Sequence, residues 1–77
     1  MSTPAAATAA TAANVKAVLD RAGLTVNRAA RLTGIPQSTL DRRLLGEVPG
    51  FTVSELARLA VLLGVEASQL LRQEAAA

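Results

Sequence analysis

Thr25-Val26-Asn27-Arg28-Ala29-Ala30-Arg31-Leu32-Thr33-Gly34-Ile35-Pro36-Gln37-Ser38-Thr39-Leu40-Asp41-Arg42-Arg43-Leu44-Leu45 reads as two short helices joined by a tight turn. Thr25 suits the position just before a helix, where a hydroxyl accepts a hydrogen bond from an N–H of the first turn. The pattern predicts a helix over Val26 to Thr33, with Ala29, Ala30 and Leu32 as its small and apolar positions and Arg28 and Arg31 on its outer side. Gly34 stops it. After Ile35, Pro36 suits the first turn of a second helix, where a missing N–H is harmless; that helix is predicted to end near Leu45, before Gly46. Two helices that cross steeply need a small residue where the backbones meet and a turn residue tolerant of positive φ. They also need a large apolar residue pointing back from the second helix. Ala30, Gly34 and Leu40 fill these three places. At about 100° per residue, Leu40 and Leu44 form the inner face of the second helix. The outer face then holds Ser38 and Arg42, with Thr39 beside them and Gln37 near the exposed N-terminal tip.

Outward from this unit the chain continues in short helical segments. Upstream, Val15, Val18, Leu19 and Ala22 recur at helical spacing, which predicts a helix over Asn14 to Ala22 with Asn14 as its cap and Gly23 as its stop. Leu24 then enters the core. Residues 1–13 contain only Met, Ser, Thr, Pro and Ala. With no large apolar residue to dock, they are expected to be a mostly disordered tail, with Ala9–Ala13 the part most able to extend the first helix. Downstream, residues 46–51 form a loop. Thr52-Val53-Ser54-Glu55 is a capping-box pattern opening a helix to about Leu63, with Leu56, Leu59, Ala60 and Leu63 inward and Gly64 ending it. A last short helix runs from Glu66 or Ala67 to Arg72, anchored by Leu70 and Leu71. Val61, Leu62, Val65, Leu70 and Leu71 are expected mostly in the core, one or two of them instead forming an exposed dimer patch. Phe51, the lone aromatic, is expected to anchor the core from its loop. The expected fold is all-α: a compact five-helix orthogonal bundle over residues 14–72, with residues 73–77 as a C-terminal tail.

Composition removes whole classes of function. The 77 residues allow one small domain. There is no cysteine and no histidine, so no disulfide framework, metal site or cofactor is expected. The acids Asp20, Asp41, Glu47, Glu55, Glu66 and Glu74 are scattered, and no Ser has a His partner, so no catalytic residue and no enzyme activity are expected. No small-molecule ligand is expected from so short a chain. No apolar run approaches the roughly 20 residues of a membrane helix, and no secretory signal is apparent; a cytoplasmic protein without membrane association is the expectation. The net charge is only +2, yet five of the eight basic residues (Arg21, Arg28, Arg31, Arg42, Arg43) fall between positions 21 and 43, opposed there by Asp41 alone. That suits a face that binds an anion, although an Arg-rich solvated surface would look the same. One aromatic residue cannot build the stacking platform of single-strand and RNA readers, so duplex DNA is the favoured nucleic-acid partner.

Arg21-Ala22-Gly23-Leu24-Thr25 followed by Gly34-Ile35-Pro36-Gln37-Ser38-Thr39-Leu40 resembles the Cro/C1-type (XRE-like) helix-turn-helix family of phage and bacterial repressors. The stretches Phe51-Thr52-Val53-Ser54-Glu55-Leu56 and Leu62-Leu63-Gly64-Val65 are similar to the fourth helix of that family, so the resemblance covers about Asn14 to Leu71. It implies a lambda-repressor-like DNA-binding domain whose third helix enters the major groove. It also implies a compact transcriptional repressor of the Cro type, acting as a homodimer on a near-palindromic operator; with only a short tail after residue 72, no effector domain is expected. By position, Gln37, Ser38 and Arg42 would contact bases, a set able to read adenine, several base edges and guanine. Thr25, Arg28, Arg31, Thr39 and Arg43 would contact phosphates. Two positions depart from the family. Val26 stands where it often has a Gln that braces the recognition helix and a phosphate. Arg43 stands where it commonly has an apolar residue, leaving Leu44 the core role. A second reading of the same fold is a protein-interaction module, such as an antitoxin-like or host-factor-binding phage protein; a third is a DNA-bending or excision factor, for which no apolar wedge residue is apparent.

Overall fold

The computed structural model describes residues 4–72, with side chains from residue 6 onward. Five α-helices follow one another: α1 (Pro4–Ala22), α2 (Val26–Thr33), α3 (Gln37–Leu44), α4 (Val53–Leu63) and α5 (Ala67–Leu71). No strand occurs among the described residues, and no helix there is long and apolar enough to cross a membrane. The expected C-terminal tail, 73–77, lies outside the described residues.

Local signals account for most helix ends. Thr25 caps α2, its Oγ1 accepting from the Arg28 N–H at 3.2 Å, and Gly34 closes the helix at φ 78°. Thr33 completes the turn: its hydroxyl donates to the Ala29 carbonyl at 2.7 Å and accepts from the Ile35 N–H at 3.3 Å. A single side chain thus ties the end of α2 to the start of the turn. At α4 the capping box forms as the sequence predicts, with the Glu55 N–H donating to Thr52 Oγ1 (3.1 Å) and the Thr52 N–H to Glu55 Oε1 (2.9 Å).

Val15, Leu19, Ala29, Ala30, Ile35, Leu40, Leu56, Leu59, Ala60 and Leu70 form the buried cluster, and Leu24, Leu44, Phe51 and Leu63 pack partly buried around it. Five helices thus share one centre, with α1 and α4 clasping the α2–turn–α3 unit and α5 closing the base. Four apolar positions turn outward, two of them (Val61 and Leu71) from the set in which one or two exposed residues are expected. Ala22 is exposed, because the chain leaves α1 at Gly23 immediately after it. Leu32, Val61 and Leu71 are 54%, 83% and 51% exposed. Each lies more than a quarter-turn from its helix's buried line, which runs through Ala29 and Ala30 in α2, Leu56, Leu59 and Ala60 in α4, and Leu70 in α5.

The first helix departs most from expectation. It begins at Pro4 rather than at Asn14: the extension allowed over Ala9–Ala13 forms, residues 4–8 are helical as well where a disordered tail is expected, and residues 1–3 of that tail lie outside the described residues. A large apolar anchor proves unnecessary, because the docking is by close approach. Thr11 and Ala12 are buried, and the glycines of the 46–51 loop admit the helix. A Cβ on Gly46 would lie 3.4 Å from the Ala9 Cα, and one on Gly50 would lie 2.7 Å from Thr8 Cγ2. Asn14 is not a cap. From within α1 its Nδ2 donates to the Leu70 carbonyl at 3.0 Å and to the Arg72 carbonyl at 2.6 Å, holding the C-terminal end of α5 against α1.

Gly50 therefore carries two constraints, a φ of 86° and a neighbour within overlap distance, whereas Gly23 has φ 71° and nothing within 4 Å of a built Cβ. Both Gly→Ala changes should cost about 1–2 kcal/mol for the left-handed backbone. Only Gly50→Ala should cost more, through its contact with Thr8, and should show the larger fall in Tm by circular dichroism. Equal falls would mean that α1 does not press on this loop.

Candidate nucleic-acid interface

The face of the α2–turn–α3 unit turned away from the core is built from α3. Within that helix Leu40 is fully buried and Leu44 half-buried, while Gln37, Ser38, Asp41 and Arg42 are exposed and Thr39 and Arg43 half-buried. About 100° per residue places Ser38 and Arg42 opposite the Leu40–Leu44 line. Gln37 and Asp41 then lie on one flank, and Thr39 and Arg43 on the other. Asp41 borders a cleft shared with Lys16 and Asp20, which places its negative charge on the α1 side of α3.

Each flank of α3 is tied by a polar contact. On one side Asn27 Nδ2, on α2, donates to Gln37 Oε1 at 2.9 Å. The brace that Val26 cannot make is thus made by the neighbouring Asn27, and Val26 packs partly buried against the core. The clue in the sequence was the polar residue directly after an apolar first helical position. On the other side Arg43 Nε donates to Glu55 Oε1 at 3.1 Å, with the two side chains only 17% and 16% exposed. Arg43, grouped by its position with the phosphate-contacting residues, is therefore engaged inside the fold. The local sequence marks Glu55 only as part of a capping box. That it also faces Arg43 depends on the crossing of α3 and α4, which no local pattern encodes.

The remaining basic residues stay outward. Arg28, Arg31 and Arg42 are exposed and form no ion pair among the described residues. The start of α2 carries no acidic side chain in its first turn, so the positive end of the helix is uncompensated there. Thr25 Oγ1 takes the Arg28 N–H, and its own proton is left for an acceptor. The Val26 and Asn27 N–H groups have no intrahelical acceptor by helix geometry. Such an end suits a phosphate. The start of α3 resembles it: Pro36 precedes the helix, no side chain caps it and no acid stands in its first turn. No group of His, Cys, Asp and Glu side chains able to hold a metal ion occurs among the described residues.

The Glu55 carboxyl is more acidic than an ordinary glutamate. Burial raises its pKa, but the Thr52 N–H, the hydrogen bond from Arg43 and the Arg43 charge together outweigh that and leave it below its ordinary 4.5. A carboxyl with a lowered folded-state pKa contributes stability above its unfolded value and loses it as pH falls through the folded one. The protein is expected to lose this contribution on acidification through and below 4.5, and Glu55→Gln to make the stability–pH curve shallower there. Urea denaturation at stepped pH reads this directly; parallel curves for the two proteins would mean that the ion pair does not persist in solution.

A family model described as a helix-turn-helix domain matches residues 6–75 of this chain. Comparison with curated proteins and with solved structures gives no match.

Proposed function

The chain belongs to the helix-turn-helix domain family, a family of DNA-binding regulators, and from that premise we propose that it is a sequence-specific, Cro-like transcriptional repressor whose α3 reads the major groove of duplex DNA. One observation carries the reading: Ser38 and Arg42 stand together on the outward face of α3 with Gln37 at its open N-terminal end, while both flanks of the helix are tied to its neighbours. Side chains on a braced helix reach base edges in a defined register, which is what discrimination between bases requires. In this reading Gln37, Ser38 and Arg42 contact bases. The hydroxyl of Thr25 and the side chains of Arg28 and Arg31 hold phosphates, and the half-buried Thr39 reaches the backbone from the α4 side.

The repressor acts as a homodimer, whose two-fold symmetry would match a near-palindromic operator with half-sites about one helical turn apart. The outward stripe Val53, Ala57 and Val61 along α4 supports a protein contact of some kind, since Val53 and Val61 are 85% and 83% exposed. The same stripe supports the alternative, a protein-interaction module of antitoxin-like or host-factor-binding type that uses this fold without reading sequence. Fluorescence anisotropy with duplex and single-stranded oligonucleotides over a range of salt separates the two. A repressor binds duplex more tightly, and its affinity falls linearly on a log–log salt plot. An interaction module shows no duplex preference and only weak binding that salt abolishes.

A further inference from the structure

We propose that the Arg43–Glu55 pair sets the roll of α3 about its own axis, so that Arg43 governs DNA recognition as a positioning residue rather than as a phosphate contact. The inference rests on the reading of α3 as the recognition helix. Apolar anchoring alone leaves the roll of α3 loosely defined. The helix has eight residues, and Leu40 is its one fully buried side chain, with Leu44 half-buried in the same line. Contacts along a single line act as a hinge. Arg43 lies about 60° to one side of Leu40 and Gln37 about 60° to the other. One is bonded to α4 through Glu55 and the other to α2 through Asn27. The two ties oppose each other about that line.

They differ in strength. The Asn27–Gln37 hydrogen bond is exposed, whereas the Arg43–Glu55 pair is mostly sheltered and charge-assisted. Glu55 is itself fixed, because the same Oε1 accepts the Thr52 N–H at 2.9 Å. The capping box of α4 therefore serves as the post to which α3 is tied. The consequence for recognition is geometric. At an outer helix radius of about 6 Å, a roll of about 25° carries a base-facing atom about 2.5 Å, enough to break a hydrogen bond.

Glu55→Gln separates the cap from the tie. A Gln at this position still accepts the Thr52 N–H but carries no charge for Arg43, and it lies off the proposed DNA-contacting set. With a duplex site selected by the unmodified protein, Glu55→Gln is expected to lower affinity about tenfold, the size of one misplaced base contact. It should also relax discrimination against single-base mismatches and leave the salt slope unchanged. Arg43→Gln should do the same, and the double variant should be no worse than either alone. All are compared at a temperature where circular dichroism shows each fully folded. Should Glu55→Gln fail to fold, Arg43→Lys takes its place. It keeps the charge for a phosphate but loses the guanidinium geometry, and is expected to lose discrimination at an unchanged salt slope. Wild-type affinity and discrimination in Glu55→Gln or in Arg43→Lys would overturn the inference. So would a salt slope lowered by about one phosphate in Arg43→Gln. A lack of sequence preference in the unmodified chain would overturn the recognition-helix reading and the inference together. Preference retained there, with the variants silent, overturns the inference alone.

Discussion

Leu40→Ala is expected to lower the free energy of unfolding by about 2–5 kcal/mol. Leu40 is completely buried and lies on the side of α3 that faces the cluster formed by Ala29, Ala30, Ile35 and Leu59. Ala29 and Ala30 are too small to collapse into the space that its truncation leaves. A helix of eight residues has little stability of its own, so losing this anchor releases α3 as well as opening a cavity. For a chain of this size the whole stability is about 4–12 kcal/mol, and the change removes a large part of it. In urea the midpoint should drop sharply. Leu45→Ala provides the contrast. Leu45 is 75% exposed at the end of the same helix, and its truncation should stay within about 0.5 kcal/mol of the unmodified chain. A loss under about 1 kcal/mol for Leu40→Ala would show that α3 is held chiefly by its polar ties.

Arg42→Ala is expected to leave stability unchanged and to weaken binding to a preferred duplex by about 1–3 kcal/mol. Arg42 is exposed, forms no ion pair among the described residues and stands one turn after Ser38 on the outward face. Its removal disturbs no packing, so a binding loss reports on the interface itself. The form of the loss matters as much as its size. A base contact gives relaxed preference at one position of the site, whereas a phosphate contact gives uniform weakening and a salt slope shallower by about one. Binding equal to that of the unmodified chain would remove Arg42 from the interface.

What could be read in the sequence was what short-range chemistry decides. Both boundaries of α2, the Thr25 cap, the Gly34 and Gly64 stops and the Thr52–Glu55 capping box are each settled by residues within a few positions of one another. The pairing of Leu40 with Leu44 and the outward placement of Ser38 and Arg42 follow from helical period alone. What could not be read depended on contacts between distant segments. The early half of α1 docks through Thr11 and Ala12 against a loop that leaves room for it at Gly46 and Gly50, and a run of Ala and Thr carries no sign of such a partner. Asn14 looks like a cap in isolation and becomes a clamp only because α5 ends beside it. Arg43 looks like its neighbour Arg42, and one helical step of about 100° separates an outward cation from one tied to Glu55. Within the candidate site, therefore, the exposed set was legible and the engagement of Arg43 by Glu55, beside an exposed Arg42, was not.

Selection of sites from a random duplex pool tests the central claim most directly. The account predicts enrichment of a sequence with two related half-sites about one helical turn apart, bound more tightly than the starting pool at every salt concentration. Recovery of no common sequence, with the pool and the recovered duplexes bound equally weakly, would contradict it.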